Sequence, residues 1–160
     1  MNYYWLIQAL GYWSLTLFVV PKEYIKKLLL FSFVGGFIYT WVVQYMAVQI
    51  FELWEYKSDL LTWQEIPFFF VMSWFGVTLL YGYLLMKYSK YQLYILFLFV
   101  GWTTLANYIP QRSGIFIAKN WSPSTTLMFA LFSHIFLLYL LKWINGVEEI
   151  GTKDDLLNLK

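Results

Sequence analysis

The charged residues of this chain recur at near-regular intervals and leave five long runs without Asp, Glu, Lys or Arg. The runs cover residues 1–21, 28–51, 66–86, 91–111 and 120–141, each 21 to 24 residues long. A helix needs about 20 apolar residues to cross a hydrocarbon core of ~30 Å. Backbone polar groups in lipid must be paired internally, so each run is expected to be helical. A transmembrane barrel predicts strands of about 10 residues that alternate polar with apolar, and these runs do not alternate. The fold class expected is therefore all-α, a polytopic transmembrane helix bundle of five spans. The spans are placed at about 3–20, 28–50, 67–86, 92–109 and 123–142. Residues 1–143 form the transmembrane domain and 144–160 a short cytoplasmic tail.

Composition supports the same class. Of 160 residues, 61% are apolar and 12% charged, with 9 Trp, 14 Tyr and 15 Phe. A soluble domain carries about twice that share of charge, and a chain of this size leaves roughly a third of its surface wet on folding. The first run lacks a basic residue before its apolar stretch, and no small-residue cleavage site follows Gly11-Tyr12-Trp13-Ser14. It is read as a retained helix rather than a signal peptide.

Orientation follows from the lysines and arginine. Lys22, Lys26, Lys27, Lys87, Lys90, Lys142, Lys153 and Lys160 fall on one side of a five-span chain; Lys57, Arg112 and Lys119 fall on the other. The bias places the N-terminus outside and the C-terminus in the cytoplasm, in a multi-pass protein of a bacterial cell membrane.

Several classes of chemistry are not expected. A net charge of +2 is too small to argue for nucleic acid. The chain has no Cys and one His, so disulfides and thiolate chemistry are excluded and a protein-built metal site is not expected. Haem would want a second axial ligand, and no cofactor is expected. The expected partners are membrane lipids, a second copy of the chain, or helices of another membrane protein.

Local signals set the helix ends. Pro21 closes the first helix. Ser122 caps the last, with Pro123 at its first position. Thr62-Trp63-Gln64-Glu65 fits a capping box before the third. Gly35-Gly36, Gly76, Gly82 and Gly101 offer close helix contacts.

Few residues are candidates for chemistry. His134 lies near the middle of the fifth run, where an ionisable group is costly and a functional candidate. Its structural reading is a neutral imidazole bonded between helices, to Ser133 or Asn107. Asn107 itself reads as a helix-to-helix hydrogen bond, and Arg112 as a snorkelling or phosphate-binding cation. Gln8, Gln44 and Gln49 read as packing polars. Glu52, Glu55 and Asp59 fall at i, i+3 and i+7. Were the second helix to continue, they would form one acidic stripe able to collect cations or a polar headgroup. Glu65 is either a helix cap or a carboxylic acid of raised pKa at the lipid boundary, able to protonate an apolar substrate.

Two resemblances rest on particular residues. Leu53-Trp54-Glu55-Tyr56, and then Trp102, Asn107-Tyr108-Ile109, Gly114-Ile115 and Asn120-Trp121-Ser122, resemble a family of small, uncharacterised five-helix membrane proteins of spore-forming Gram-positive bacteria. That family tends to carry Glu where Asn107 stands, and a His and Pro where Lys142-Trp143 stands. It implies no reaction. Trp54-Glu55-Tyr56 followed by Glu65-Ile66-Pro67-Phe68-Phe69 is similar to the W-x-Y and P-x-E-E-x-x-F-F of the lycopene-cyclase-like membrane domain, although here the acid precedes the proline and is not paired.

Three functions stand open. The first is a non-enzymatic membrane protein acting by lipid or partner-helix contacts. The second is an enzyme on a hydrophobic, isoprenoid-like substrate, with Glu65 or Glu55 as catalytic proton donor. The third is a transporter or ion-pathway subunit using His134. Acids facing a shared cavity would favour the enzyme, and a continuous polar path past His134 would favour transport.

Overall fold

The computed structural model describes residues 3–57 and 59–146. They form a bundle of five helices, which we number in chain order: α1 (Tyr4–Val19), α2 (Lys22–Ile50), α3 (Phe68–Lys87), α4 (Gln92–Arg112) and α5 (Pro123–Asn145). Four of them, α2 to α5, are long and apolar enough to cross a membrane. At 16 residues, α1 spans roughly 24 Å. The expected tail, residues 144–160, lies largely outside the described residues, and α5 continues to Asn145.

Chain punctuation acts much as the sequence predicts. Pro21, in extended backbone, separates α1 from α2. The Ser122 hydroxyl accepts from the Thr125 N–H at 3.2 Å, and Pro123 opens α5. Gly146 ends it with a left-handed φ of 64°, the usual helix stop. Helix α2 starts six residues before the expected span. Lys22, Lys26 and Lys27 are good helix formers whose long stems let the charge stay at the end.

Helix α3 is the centre of the bundle, with α1 and α2 packed along it. The Trp13 indole donates to the Met72 carbonyl at 2.9 Å, and the Thr16 hydroxyl to the Gly76 carbonyl at 3.0 Å, which fasten α1 parallel to α3. Glycines set the close approach of α2. A Cβ on Gly36 would lie 2.8 Å from the Phe75 Cα, and one on Gly82 would lie 2.7 Å from the Phe31 ring. Gly35 and Gly76 also face neighbours, whereas a Cβ on Gly101 would meet nothing within 4 Å, so Gly101 is no packing glycine. Helices α4 and α5 pack closely together, and α2 reaches α5 through its Lys22–Ser32 part.

The loops are not plain coil. Strand β1 (Trp54–Tyr56) pairs antiparallel with β4 (Phe116–Ala118), joining the 52–65 and 110–123 loops into one roof at one end of the bundle. Strands β2 (Thr62–Trp63) and β3 (Ile66–Pro67) make a hairpin around Gln64-Glu65. Both turn residues have left-handed φ, 51° and 63°, which is the signature of a tight type I′ turn.

That hairpin removes the expected capping box. Glu65 is exposed in the turn, and α3 begins after Pro67 with no side-chain cap. The acidic stripe is absent as well. Helix α2 stops at Ile50, Glu52 sits at φ 48°, and Glu55 lies on a strand. Period-2 alternation sends Trp54 and Tyr56 to one face of β1 and Glu55 to the other.

Candidate functional site

Beneath the roof lies a cavity that is partly open to the surroundings. Helix α2 contributes Gly35, Tyr39, Thr40, Val43 and Gln44; α3 contributes Phe70, Trp74 and Thr78. Helix α4 contributes Thr103 and Asn107, and α5 a face from Thr126 to Leu137 that includes Ser133 and His134. Trp54, Tyr56, Phe116 and Trp121 close it from above. Among the described residues, no Asp, Glu, Lys or Arg lines it.

The α2 wall has an unusual backbone. Two π-helical segments, Phe33–Ile38 and Met46–Ile50, flank the α-helical Tyr39–Tyr45. Such wide turns are rare and recur at functional sites. Here they bracket the stretch that supplies Tyr39, Thr40, Val43 and Gln44 to the cavity.

Gln44 anchors the roof. Its Oε1 accepts from the Trp54 indole at 3.0 Å and the Tyr56 hydroxyl at 2.6 Å. An indole N–H only donates, so the atom it meets must be the amide oxygen. The Gln44 NH₂ then has no acceptor among the described residues, on a cavity-lining side chain only 8% exposed. Burial pushes the Tyr56 hydroxyl pKa upward, against the weaker pull of the Trp54 indole, so the phenol remains a donor.

His134 is 2% exposed. Its Nδ1 lies 2.7 Å from the Ala130 carbonyl, and its Nε2 lies 3.5 Å from the Thr103 hydroxyl. A carbonyl only accepts, so Nδ1 carries the proton, and Nε2 of the neutral ring is an acceptor. The partners are therefore Ala130 and Thr103, rather than the expected Ser133 or Asn107. Ser133 pairs with Tyr39 across α2 and α5 at 3.0 Å. The Asn107 amide donates to the Thr103 carbonyl at 2.8 Å, a bond within its own helix rather than the expected one between helices. Rings of Trp74, Tyr81 and Phe99 surround the imidazole.

The charged candidates lie elsewhere. Glu55 forms an ion pair with Lys119 at 2.9 Å on the outward face of the roof. Glu65 sits in the β2–β3 turn. Arg112 is exposed, its Nε donating to the Tyr108 hydroxyl at 2.5 Å. The structure thus brings His134 and Asn107 together and leaves Glu55, Glu65 and Arg112 outside. Sequence reasoning missed the roof residues Trp54, Tyr56, Phe116 and Trp121 and the significance of Gln44. The available signal was a glutamine inside an uncharged run followed by alternating aromatics.

Below Gly35, Thr78 and Leu137 the bundle is filled by an apolar core that includes Leu28, Phe31, Leu85, Leu138 and Leu141. Helix α2 meets α5 through its Lys22–Ser32 part and at Gly35, which lies against Leu137 and Leu140, and Tyr39 reaches α5 by its bond to Ser133 and its ring contact with Phe136 at 4.8 Å. No metal-binding group of three or more His, Cys, Asp or Glu occurs among the described residues. No family model, characterised protein or solved structure matches the chain.

Proposed function

We propose that this is a small five-span protein of a bacterial cell membrane, N-terminus outside and C-terminus cytoplasmic, that holds a membrane-derived amphiphile in the cavity without transforming it. One observation carries the reading: the cavity is lined by aromatic rings and uncharged hydrogen-bonding groups, with α2 and α5 both contributing walls. We place its entrance at the seam between α2 and α5, where a bilayer would present acyl chains. Sites that take small ligands are mostly apolar with a few placed polar groups, and this one follows that pattern. The enzyme reading loses support because Glu55 and Glu65 do not reach the cavity. The transport reading loses support from the apolar floor beneath His134.

The test is lipid retention. The protein purified in mild detergent is expected to carry a lipid adduct in native mass spectrometry. Ser133→Phe and Val43→Phe, each placing a ring in the seam, are expected to lose it while unfolding at a similar temperature. A parent protein that stays lipid-free in the presence of added membrane lipid overturns the proposal. So does full retention by both folded variants.

A further inference from the structure

We infer that the head of the bound lipid is uncharged and carries both a hydroxyl and a carbonyl, as in an acylglycerol. The inference rests on the reading of the cavity as a lipid site and goes further, to the chemistry of the occupant. It starts from two polar groups that the protein leaves under-used. The Gln44 NH₂ makes no hydrogen bond to any described residue, on a side chain that is 8% exposed and lines the cavity. The His134 Nε2 has only a long 3.5 Å approach to Thr103, at the edge of hydrogen-bonding distance. One is a donor in need of an acceptor; the other is an acceptor in need of a better donor. Buried polar groups are seldom left so. An ester carbonyl answers the first and a hydroxyl the second. The Asn107 carbonyl oxygen, also at the wall, offers a further acceptor.

Charge excludes the commoner lipids. A phosphate or carboxylate in this cavity would meet no cation among the described lining residues. Lys119 is engaged with Glu55 on the outward face, Arg112 is exposed on Tyr108, and Lys57 is exposed beside Gly114. A primary ammonium head would find no carboxylate. Burying an ion without a partner is far costlier than burying a bonded neutral head. Aromatic rings could still receive a quaternary ammonium, but the phosphate next to it in phosphatidylcholine would remain unpaired.

The experiment adds one defined lipid at a time to delipidated, detergent-solubilised protein and reads adducts by native mass spectrometry. The probes are dioleoylglycerol, its 3-O-methyl ether, dioleoylphosphatidylglycerol and dioleoylphosphatidylcholine. Dioleoylglycerol is expected to bind most tightly. The methyl ether lacks the donor and is expected to bind about tenfold more weakly, the worth of roughly one hydrogen bond. In His134→Phe that difference is expected to vanish, because the acceptor is gone. The ether comparison is made on the parent protein and so does not depend on the variant folding. Equal or tighter binding of either phospholipid overturns the inference while leaving the lipid-site reading intact, as does equal binding of alcohol and ether. Failure of all four lipids to bind overturns both.

Discussion

The indole of Trp54 donates to the side-chain oxygen of Gln44 across 3.0 Å, tying the first strand of the roof to the wall of the cavity below. The same oxygen also receives the Tyr56 hydroxyl. Two donors depend on one acceptor, so Gln44→Leu leaves both unpaired in a buried place. The expected loss is about 1–3 kcal/mol for each donor left unsatisfied, read as a lower unfolding temperature in detergent. Trp54→Phe removes only one donor and its acceptor keeps Tyr56, so it is expected to cost less through hydrogen bonding. A Gln44→Leu protein as stable as the parent would contradict this account.

The glycines separate by environment. Gly36→Ala places a methyl 2.8 Å from backbone Cα of Phe75, which cannot swing away as a side chain can. Overpacking of this kind costs about 1–3 kcal/mol. Gly101→Ala meets nothing within 4 Å and is expected to be neutral or to gain up to about 1 kcal/mol from helix propensity. Chemical denaturation of the two variants side by side checks the contrast, and equal effects would undo it.

Glu65 occupies the second central position of a type I′ turn at φ 63°, where glycine is the preferred residue. Glu65→Gly is therefore expected to stabilise the protein by a few tenths to about 1 kcal/mol, the relief of left-handed strain exceeding the added chain entropy. Under a catalytic reading the same change would abolish function. Loss of stability in Glu65→Gly would show that the carboxylate has a structural partner.

Burial pushes the Asp59 carboxyl pKa above its ordinary 3.8, although the nearby Leu60 N–H pulls the other way. A carboxyl raised on folding binds more protons folded than unfolded between those two values. Stability therefore falls as pH rises through that window. Asp59→Asn is expected to match the parent below 3.8 and to exceed it above the window. Parallel stability curves across the whole range would rule out this contribution.

The proposed topology is checked with single cysteines, for which the cysteine-free chain is well suited. Cysteine at Asn2 or at exposed Ser113 is expected to react with an impermeant reagent from outside, and at exposed Ser89 to be protected until the membrane is opened. Labelling at Ser89 alone would reverse the orientation. Labelling at Ser89 and Asn2 together, with Ser113 protected, would mean that α1 does not cross.

Much of the helical plan was legible because uncharged runs and helix punctuation are local properties. The 66–86 run and α3 share nearly the same bounds, and Ser122-Pro123 opens α5 as read. What was not legible is non-local. Nothing near Thr62 says that Glu65 will turn a hairpin instead of capping a helix, since the same four residues satisfy both patterns. The choice is made by pairing with Ile66 and by the Gln49 amide, which donates to the Gln64 carbonyl at 2.9 Å. His134 and Asn107 stood out as polar groups in apolar runs. Their true partners, Ala130 and Thr103, follow from helix rotation that periodicity alone does not fix. Gln44 looked like any packing glutamine until Trp54 and Tyr56 came to it from beyond the end of α2.

The roof also has a consequence for how the chain is made. Strand β1 precedes α3 and α4 in synthesis, and β4 follows them, so their pairing of Trp54 with Ala118 and Tyr56 with Phe116 must wait until both intervening helices have emerged. Until then the Trp54 indole and the Tyr56 phenol are held by Gln44, and the Tyr56 ring by Trp5 and Phe70. The chamber is thus a late product of biogenesis. A nascent chain halted before Phe116 carries most of its walls and no finished ceiling.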